Sequence, residues 1–254
     1  MATPVLWHIE ISHFNEKVRW ALDLKGVPHV RKAVTPGLQQ FRAFRLARAQ
    51  TTPILEVDGE AIVDSTRILE AIERRWPEPP LYPAGDDERR QALELEEFFD
   101  EQCGHDLRRV IFNDLMSEPQ TFLDTLYGPD HPRMKLLQRL EPVLTPIVKT
   151  RFSIKPDRVE QSKQKVRAAL DRLAAEVGPS GYLVGASFSV ADLSAAAIFS
   201  PLVAPPQFPY IKLPADQRPA SAREFRDSVA EHPGFKFVLD MYARHRPASA
   251  EVPA

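Results

Sequence analysis

The stretch that decides the fold is "ISHFNEKVRWALDLKG", residues 11–26. It overlaps the end of a strand-like run, "PVLWHIEI", residues 4–11, and passes directly into a helical pattern that stops at Gly26. The apolar residues that share one face of this helix are Phe14, Val18, Ala21 and Leu22. The sequence therefore predicts a β-strand followed by an α-helix, with Ser12 at the corner between them.

The pattern continues through the first third of the chain. A strand-like run at 29–34 is followed by a short helical pattern at 38–47 and by the apolar runs "PILEV" and "EAIV". Asp58-Gly59 joins these two runs and is a strong hairpin signal, and a helix is expected over 65–76. The order β-α-β-α-β-β-α predicts a small mixed sheet with helices on its faces.

A proline-rich segment, "WPEPPLYPAG" at 76–85, then breaks the pattern and marks a domain boundary. We expect one domain at 1–83 and a second at 84–254. The second is expected to be all helical, because strand-like alternation nearly disappears beyond the linker. Its helical patterns lie at 86–117, 131–151, 156–178, 189–203 and 221–244, and the last residues, "RPASAEVPA", are expected to fray.

Composition narrows the class of protein. The 254 residues have a formal net charge of −2, so nothing favours a polyanionic partner and nucleic acid is not expected. Cys103 is the single cysteine, which excludes an internal disulfide and multi-cysteine metal motifs and favours a reducing, cytoplasmic location. Residues 193–211 carry no charge, but four prolines among them argue against a membrane span.

Two helix starts carry the candidate chemistry. The hydroxyl of Ser12 and the first free backbone N–H groups of its helix face the same small volume, a place suited to an anion. Asp64 and Ser65 open another helix, where Ser65 can bind a carboxylate and Asp64 an ammonium. If Pro53 is cis, the backbone of Thr52 becomes available to a peptide-like ligand.

With these residues in place, the chain resembles the glutathione transferase superfamily. The resemblance rests on Ser12 before "VRWAL", the Pro53 strand, Asp64-Ser65, the proline-rich linker and "SVAD" in the helical half. It implies an α+β, thioredoxin-like N-terminal domain followed by an all-α helical-bundle domain. It also implies that glutathione is the co-substrate, with a small apolar electrophile as second substrate, no metal, and a homodimeric protein active in detoxification.

The resemblance also assigns roles to residues. Ser12 would hydrogen-bond the glutathione sulfur, and Asn15, at the same corner, is the alternative contact. Thr52 would bind the cysteinyl backbone beside a cis Pro53, and Asp64-Ser65 would hold the γ-glutamyl end. The first long helix of the second domain would line the electrophile pocket, with the candidate residues His105, Arg108, Arg109 and Phe112.

Other interpretations remain open. Ser12 could be only a helix cap, and the departures at Asn15, Thr52 and Asp64 allow a non-catalytic binding or scaffold protein with the same fold, or the use of a different thiol. Ser189 and Asp192 are expected to form a capping box, and Cys103 to be a buried apolar residue. Arginines recur every third residue at Arg42, Arg45 and Arg48, which is typical of a solvated helix face or of a site for a glutathione carboxylate.

Overall fold

The computed structural model describes residues 2–34, 45, 51–210 and 213–253. Apart from Arg45, the helix expected at 38–47 lies outside the described residues, and so do Arg42 and Arg48. The first 75 residues contain the strands β1 (Val5–His8), β2 (Val30–Ala33), β3 (Ile54–Val57) and β4 (Glu60–Val63) and the helices α1 (His13–Leu24) and α2 (Ser65–Arg75).

The four strands form one mixed sheet in the order β2-β1-β3-β4. β1 runs parallel to β2 and antiparallel to β3, which requires the α1 crossover between β1 and β2. Asp58 and Gly59 join β3 to β4 with φ angles of 50° and 82°, the left-handed conformation that a two-residue hairpin turn uses. The predicted hairpin and the predicted mixed sheet are confirmed.

Beyond the linker, the secondary structure of the described residues is helical. The helices are α3 (Asp86–Glu97), a π-helical segment (Phe98–Gly104), α4 (His105–Leu115), α5 (Pro119–Tyr127), α6 (Met134–Arg151), α7 (Pro156–Glu176), α8 (Val190–Val203), a 3₁₀ turn (Ala215–Gln217), α9 (Ala220–Asp227) and α10 (Pro233–His245). The helix α5 was not predicted, because its nine residues give a short pattern between two loops. The predicted helical second half is otherwise confirmed.

The helices α8 and α1 pack against each other at the centre of the molecule. α8 buries nearly all of its residues, and it packs against α1, α3 and α10, as expected of a helix that is apolar on every side. Ser189 and Asp192 form the predicted capping box at its start.

In the part of the chain that the structure describes, no helix is long and apolar enough to cross a membrane.

The helix α1 differs from the amphipathic helix that its sequence indicates. Its charged residues Glu16, Lys17, Arg19 and Asp23 are buried along with its apolar face. The reason is that α1 lies between α2 and the helices of the second half, so both of its faces are covered. Buried charges need partners, and the partners determine how the candidate site is held.

The C-terminal segment is ordered, so the expectation of a frayed tail is wrong. The N–H of Val252 donates to the carbonyl of His29 at 2.9 Å, and the N–H of His29 donates to the carbonyl of Ala250 at 3.4 Å. The N–H of Ala250 also donates to Asp23 Oδ1 at 2.8 Å. The tail thus forms a single parallel bridge to His29, just before β2, and contacts the buried Asp23 of α1.

Candidate functional site

Three segments meet at one end of the sheet. Ile54 pairs with Trp7 on β1 and with Val63 on β4. Continuing that antiparallel register past Ile54 brings Thr52 and Pro53 beside the loop that follows β1 and beside the Asp64-Ser65 pair that follows β4. The Thr52–Pro53 peptide bond is cis, as the resemblance implies. The fold therefore brings the three predicted glutathione-binding segments to the same edge, although their roles stay predictions.

Ser12 precedes α1 but does not cap it. Its side-chain oxygen accepts no hydrogen bond from a backbone N–H of the first turn of α1. Instead, Asn15 Nδ2 donates to Ser12 Oγ at 2.7 Å, and the N–H of Ile9 donates to Asn15 Oδ1 at 3.1 Å. Because the Ile9 bond fixes which way the buried amide faces, Asn15 is the donor to Ser12. The hydroxyl hydrogen of the half-buried Ser12 is then directed elsewhere and can be donated to a ligand.

Arg19 holds the loop that carries Ser12. Its guanidinium donates to three successive parts of the β1–α1 loop: the carbonyls of Ile9 at 3.3 Å, Glu10 at 3.0 Å and Ser12 at 3.3 Å. Glu16, one turn earlier on α1, accepts from Arg19 Nε at 2.7 Å and balances its charge. The planar guanidinium of arginine has five N–H donors, so one side chain can bind several carbonyl groups. Arg19 therefore holds the β1–α1 loop, and Ser12 with it, in place.

This arrangement extends to the C-terminal segment. Arg246 donates to the second oxygen of Glu16 at 2.7 Å and to Asp23 at 2.8 Å. Asp23 also accepts two bonds from Arg31 of β2, at 2.7 and 2.6 Å. These four residues, with Arg19, form the "α1 charge network", whose side chains are nearly inaccessible to solvent. The C-terminal segment is therefore linked to the Ser12 loop through two ion pairs in series.

Asp64 and Ser65 occupy the start of α2. Asp64 is exposed with a φ of 77°, and its side chain accepts from the N–H of Arg67 at 3.1 Å, so it caps this helix. Its carboxylate still faces solvent and can meet an ammonium. Ser65 is the first residue of α2 and is buried, where its N–H has no partner within the helix. This geometry suits a carboxylate at Ser65.

A buried ion cluster lies next to α2, between the two halves of the chain. Lys17 of α1 donates to Glu96 at 3.0 Å and also to Asp100, and the hydroxyl of Thr66 donates to Glu96 at 3.1 Å. The two neighbouring carboxylates raise the pKa of Lys17 despite its complete burial. Lys17 therefore connects α1 to α3 and the π-helical segment as a charged group.

Of the predicted electrophile-pocket residues, His105 lies where α4 approaches the start of α1, and Arg108 is hydrogen-bonded to it. The ring of Phe14 packs so close to the π-helical segment that a Cβ atom on Gly104 would lie 2.7 Å from it, which explains the glycine. The rings of Phe14 and His105 are 5.7 Å apart. Arg108, one turn further along α4, donates to His105 Nδ1 at 2.8 Å and stacks 4.6 Å above the ring of Phe152.

Arg109 and Phe112 have different surroundings. Arg109 donates to Asp106, to Ser162 Oγ at 2.6 Å and to the Phe152 carbonyl at 3.1 Å, contacts that join α4 to α7. Phe112 packs against Phe152, at 5.0 Å between ring centroids. Phe152 thus lies beside both Arg108 and Phe112, whereas the guanidinium of Arg109 is taken up by structural bonds.

The remaining reactive groups do not add a second centre. Cys103 is buried, as predicted, and burial raises the pKa of its thiol far above the usual range. Among the residues that the structure describes, no three histidine, cysteine, aspartate or glutamate side chains are grouped to hold a metal ion.

The sequence pointed to Ser12 but not to the residues that hold it. Glu16 and Arg19 are spaced three apart on α1, a pattern that usually means a surface ion pair. The absence of solvent on that side of α1 follows only from packing of the second half. Arg246 is 230 residues away from Glu16 and carries no local signal of its role.

Two family models match the chain. "Glutathione S-transferase, N-terminal domain" matches residues 6–80, and "Glutathione S-transferase, C-terminal domain" matches residues 156–235. Together they cover more than half of the chain, and the thioredoxin-like sheet is followed by a helical domain in the order that these models require. The chain belongs to the glutathione S-transferase superfamily.

Relatives with described activities are similar over part of the chain. A maleylpyruvate isomerase from Ralstonia sp is 35% identical over 92 residues, which are 35% of this chain and 42% of the relative. Glutathione S-transferase U6 from Arabidopsis thaliana is 31% identical over 94 residues, 36% of this chain and 41% of the relative. The matched stretch thus spans less than half the length of these relatives.

Solved structures match over nearly the whole chain. The β-etherase LigF from Sphingobium sp. strain SYK-6 has a TM-score of 0.60 at 20% identity, covering 94% of this chain and 99% of that one. A glutathione S-transferase from Methylobacterium radiotolerans, in complex with glutathione sulfonate, has a TM-score of 0.57 at 18% identity, covering 100% and 99%. At these identities the similarity supports the fold.

Proposed function

We propose that this protein is a glutathione-dependent enzyme in which Ser12 stabilises the glutathione thiolate for attack on an electrophile held against α4. The observation that carries the proposal is the Asn15 amide bond to Ser12 Oγ at 2.7 Å, because it leaves the hydroxyl hydrogen free for the sulfur. Thr52 would bind the cysteinyl backbone of glutathione beside the cis Pro53. Asp64 would take its ammonium and Ser65 its γ-glutamyl carboxylate.

Ser12 and the start of α1 can supply the free energy that is needed to stabilise a thiolate. Lowering a thiol pKa from about 8.5 to roughly 6.5 takes about 2.7 kcal/mol of preferential thiolate stabilisation. A hydrogen bond to a charged group contributes roughly 1.5 to 3 kcal/mol, and a helix N-terminus adds roughly 0.3 to 1 kcal/mol. One hydroxyl at the start of α1 therefore suffices, and the Arg19 contacts keep it in place.

The family and the relatives support several finer proposals. The names of the relatives include transferases and isomerases, and either reaction needs the same activated thiol. We propose that the protein acts as a homodimer in the cytoplasm, where a single buried cysteine stays reduced. Detoxification is the role that we propose for a conjugating activity. The alternative is a binding or scaffold protein that keeps the fold without the chemistry.

The test is glutathione binding by calorimetry, followed by the ultraviolet absorbance of the bound thiolate as a function of pH. In the Ser12→Ala variant, we expect the pKa of bound glutathione to rise by one to two units and conjugation near neutral pH to slow about ten- to hundredfold, at about 1.36 kcal/mol per unit. Binding should change much less. Coinciding pH profiles would leave Ser12 without the role, and a wild-type protein that binds no glutathione would favour the scaffold alternative.

A further inference from the structure

Arg108 is a cation without an anionic partner. Its guanidinium donates to a neutral ring nitrogen of His105 and lies over Phe152, and no acidic side chain of the described residues pairs with it. The half-buried position would normally be costly for such a charge, because burial is tolerated when charges are paired. The neighbouring Arg109 shows the usual solution, since it is paired with Asp106.

Positive charge accumulates around Arg108. Burial, together with repulsion from Arg151 and Arg109, lowers the pKa of Arg108 to about 10, so it remains charged at neutral pH. Arg108 also repels the protonated forms of His13 and His105. Burial together with this repulsion lowers the pKa of both histidines, to about 3 for His13. Each histidine is therefore neutral, and the guanidinium is the charge that a ligand meets.

The location relates Arg108 to the proposed reaction. Phe14 follows Ser12 by two residues, its ring lies 5.7 Å from His105, and His105 is hydrogen-bonded to Arg108. The guanidinium thus lies one helical turn beyond the residues that contact the start of α1. A small molecule that reached a thiol at Ser12 and extended along Phe14 would meet Arg108 and the ring of Phe152.

We propose that Arg108 binds the carboxylate of the second substrate, so that the electrophile is an anionic molecule rather than the small apolar one that the resemblance implies. The planar guanidinium suits a carboxylate bidentately, and the Phe152 ring beneath it fixes its plane. A bound anion also offsets the repulsion among the neighbouring arginines. The reacting part of this inference rests on the proposed function, whereas the anion site does not.

The kinetic test uses a matched pair of probes, 4-chloro-3,5-dinitrobenzoate and its methyl ester. With either one, the glutathione sulfur forms a bond to the ring carbon that carries chlorine, and chloride leaves with the bonding electron pair. We expect the acid to be preferred, and the ratio of kcat/KM for acid over ester to fall about tenfold or more in Arg108→Gln. Arg108→Lys, which keeps the charge but not the fork, should recover part of that ratio.

A control variant tests whether the effect depends on the position of Arg108 and not only on the loss of one positive charge. Arg172→Gln removes an arginine that also stacks on a phenylalanine, 4.0 Å above Phe98, but lies on α7 away from His105. The acid-to-ester ratio should not change in this variant. An unchanged ratio in Arg108→Gln, or a wild-type protein that uses the ester as well as the acid, overturns the proposal.

Binding of 3,5-dinitrobenzoate, which has no leaving chloride, tests the anion site without turnover. Calorimetry should show binding that Arg108→Gln weakens about tenfold and Arg172→Gln leaves unchanged. If the protein binds this anion through Arg108 but does not bind glutathione, the proposed function fails and the anion site stands. If glutathione binds and the anion does not, the proposed function stands and this inference fails.

Discussion

At the scale of single residues, the orientation of one amide decides what Ser12 can do. Asn15 donates to Ser12 Oγ and accepts from the N–H of Ile9, so the serine keeps its hydrogen for another acceptor. The variant Asn15→Asp replaces the donor with a second acceptor. We expect it to take the Ser12 hydrogen and to add a negative charge, raising the pKa of bound glutathione by at least one unit and slowing turnover about tenfold near neutral pH.

The pH dependence of turnover measures this effect. Gln138→Glu is the matched control, because it adds the same charge on the exposed surface of α6 and should leave the profile unchanged. If Asn15→Asp and the wild type share one pH profile, the amide does not direct the serine hydrogen.

His13 makes the stability of the fold depend on pH. Burial lowers its pKa from 6.5 to about 3, and Nε2 of the ring has no hydrogen-bond partner among the described residues. The unfolded chain takes up a proton below pH 6.5 while the folded chain does not. The stability that neutral His13 contributes is therefore complete above pH 6.5 and is lost as the pH falls toward 3.

We expect His13→Phe to remove this contribution. Between pH 6 and 4, the slope of unfolding free energy against pH should decrease by up to about 1.4 kcal/mol per pH unit. His8, whose pKa burial lowers to about 2, keeps a similar contribution in the variant. Urea unfolding at several pH values measures the slope. Equal slopes in wild type and His13→Phe would contradict the assignment.

At the scale of elements, the start of α8 is fixed by one carboxylate. Asp192 accepts from the N–H groups of Ser189 and Leu183, both at 2.8 Å, and is completely buried. Asp192→Ala leaves two buried donors unpaired, and we expect a loss of about 2 kcal/mol of unfolding free energy with unchanged glutathione affinity in the folded protein.

Thermal unfolding measures the loss of stability in Asp192→Ala, and calorimetry measures its affinity for glutathione. Asp157→Ala is the control, since Asp157 also lies in the first turn of a helix, α7, but is exposed. It should cost about 0.5 kcal/mol or less. A selective loss of glutathione binding in Asp192→Ala, without destabilisation, would show that this residue belongs to the site and not to the helix cap.

Elements with local signals were predictable and those with distant partners were not. The hairpin at Asp58-Gly59 and the Asp192 cap follow from residues within four positions of each other. The sequence also located Ser12 as the candidate contact for the sulfur, with a helix cap as the alternative, but it gave no signal for the bond from Asn15. The burial of α1 and the pairing of the tail were missed, because α8, which packs on α1, and the residues that the tail binds lie more than 100 positions away in the sequence.

At the scale of the whole molecule, the α1 charge network joins both ends of the chain. Arg246 pairs with Glu16 and Asp23, all of them buried. Arg246→Gln would leave the network short of one cation, and breaking a buried pair from one side costs on the order of 3 kcal/mol. We expect that loss in denaturant unfolding, together with slower glutathione turnover, because Glu16 orients Arg19 and Arg19 holds the Ser12 loop.

Arg244→Gln is the control for this prediction. Arg244 lies two residues earlier and pairs with Asp240 at 2.8 Å, but both side chains are exposed, so its removal should change stability little. If Arg246→Gln destabilises the protein and leaves turnover by the folded fraction unchanged, the network stabilises the fold without positioning Ser12.

The Arg246–Glu16 ion pair also sets the order of events during synthesis. Arg246 follows Glu16 by 230 residues and is therefore synthesised roughly 10 to 50 s later, at about 5 to 20 residues per second. Throughout that interval, Glu16 and Asp23 lack their final partner, and the β2 edge beside His29 lacks the tail that covers it. A nascent chain can therefore form its sheet long before the network that holds the Ser12 loop is complete, and during this period a chaperone would have most to protect.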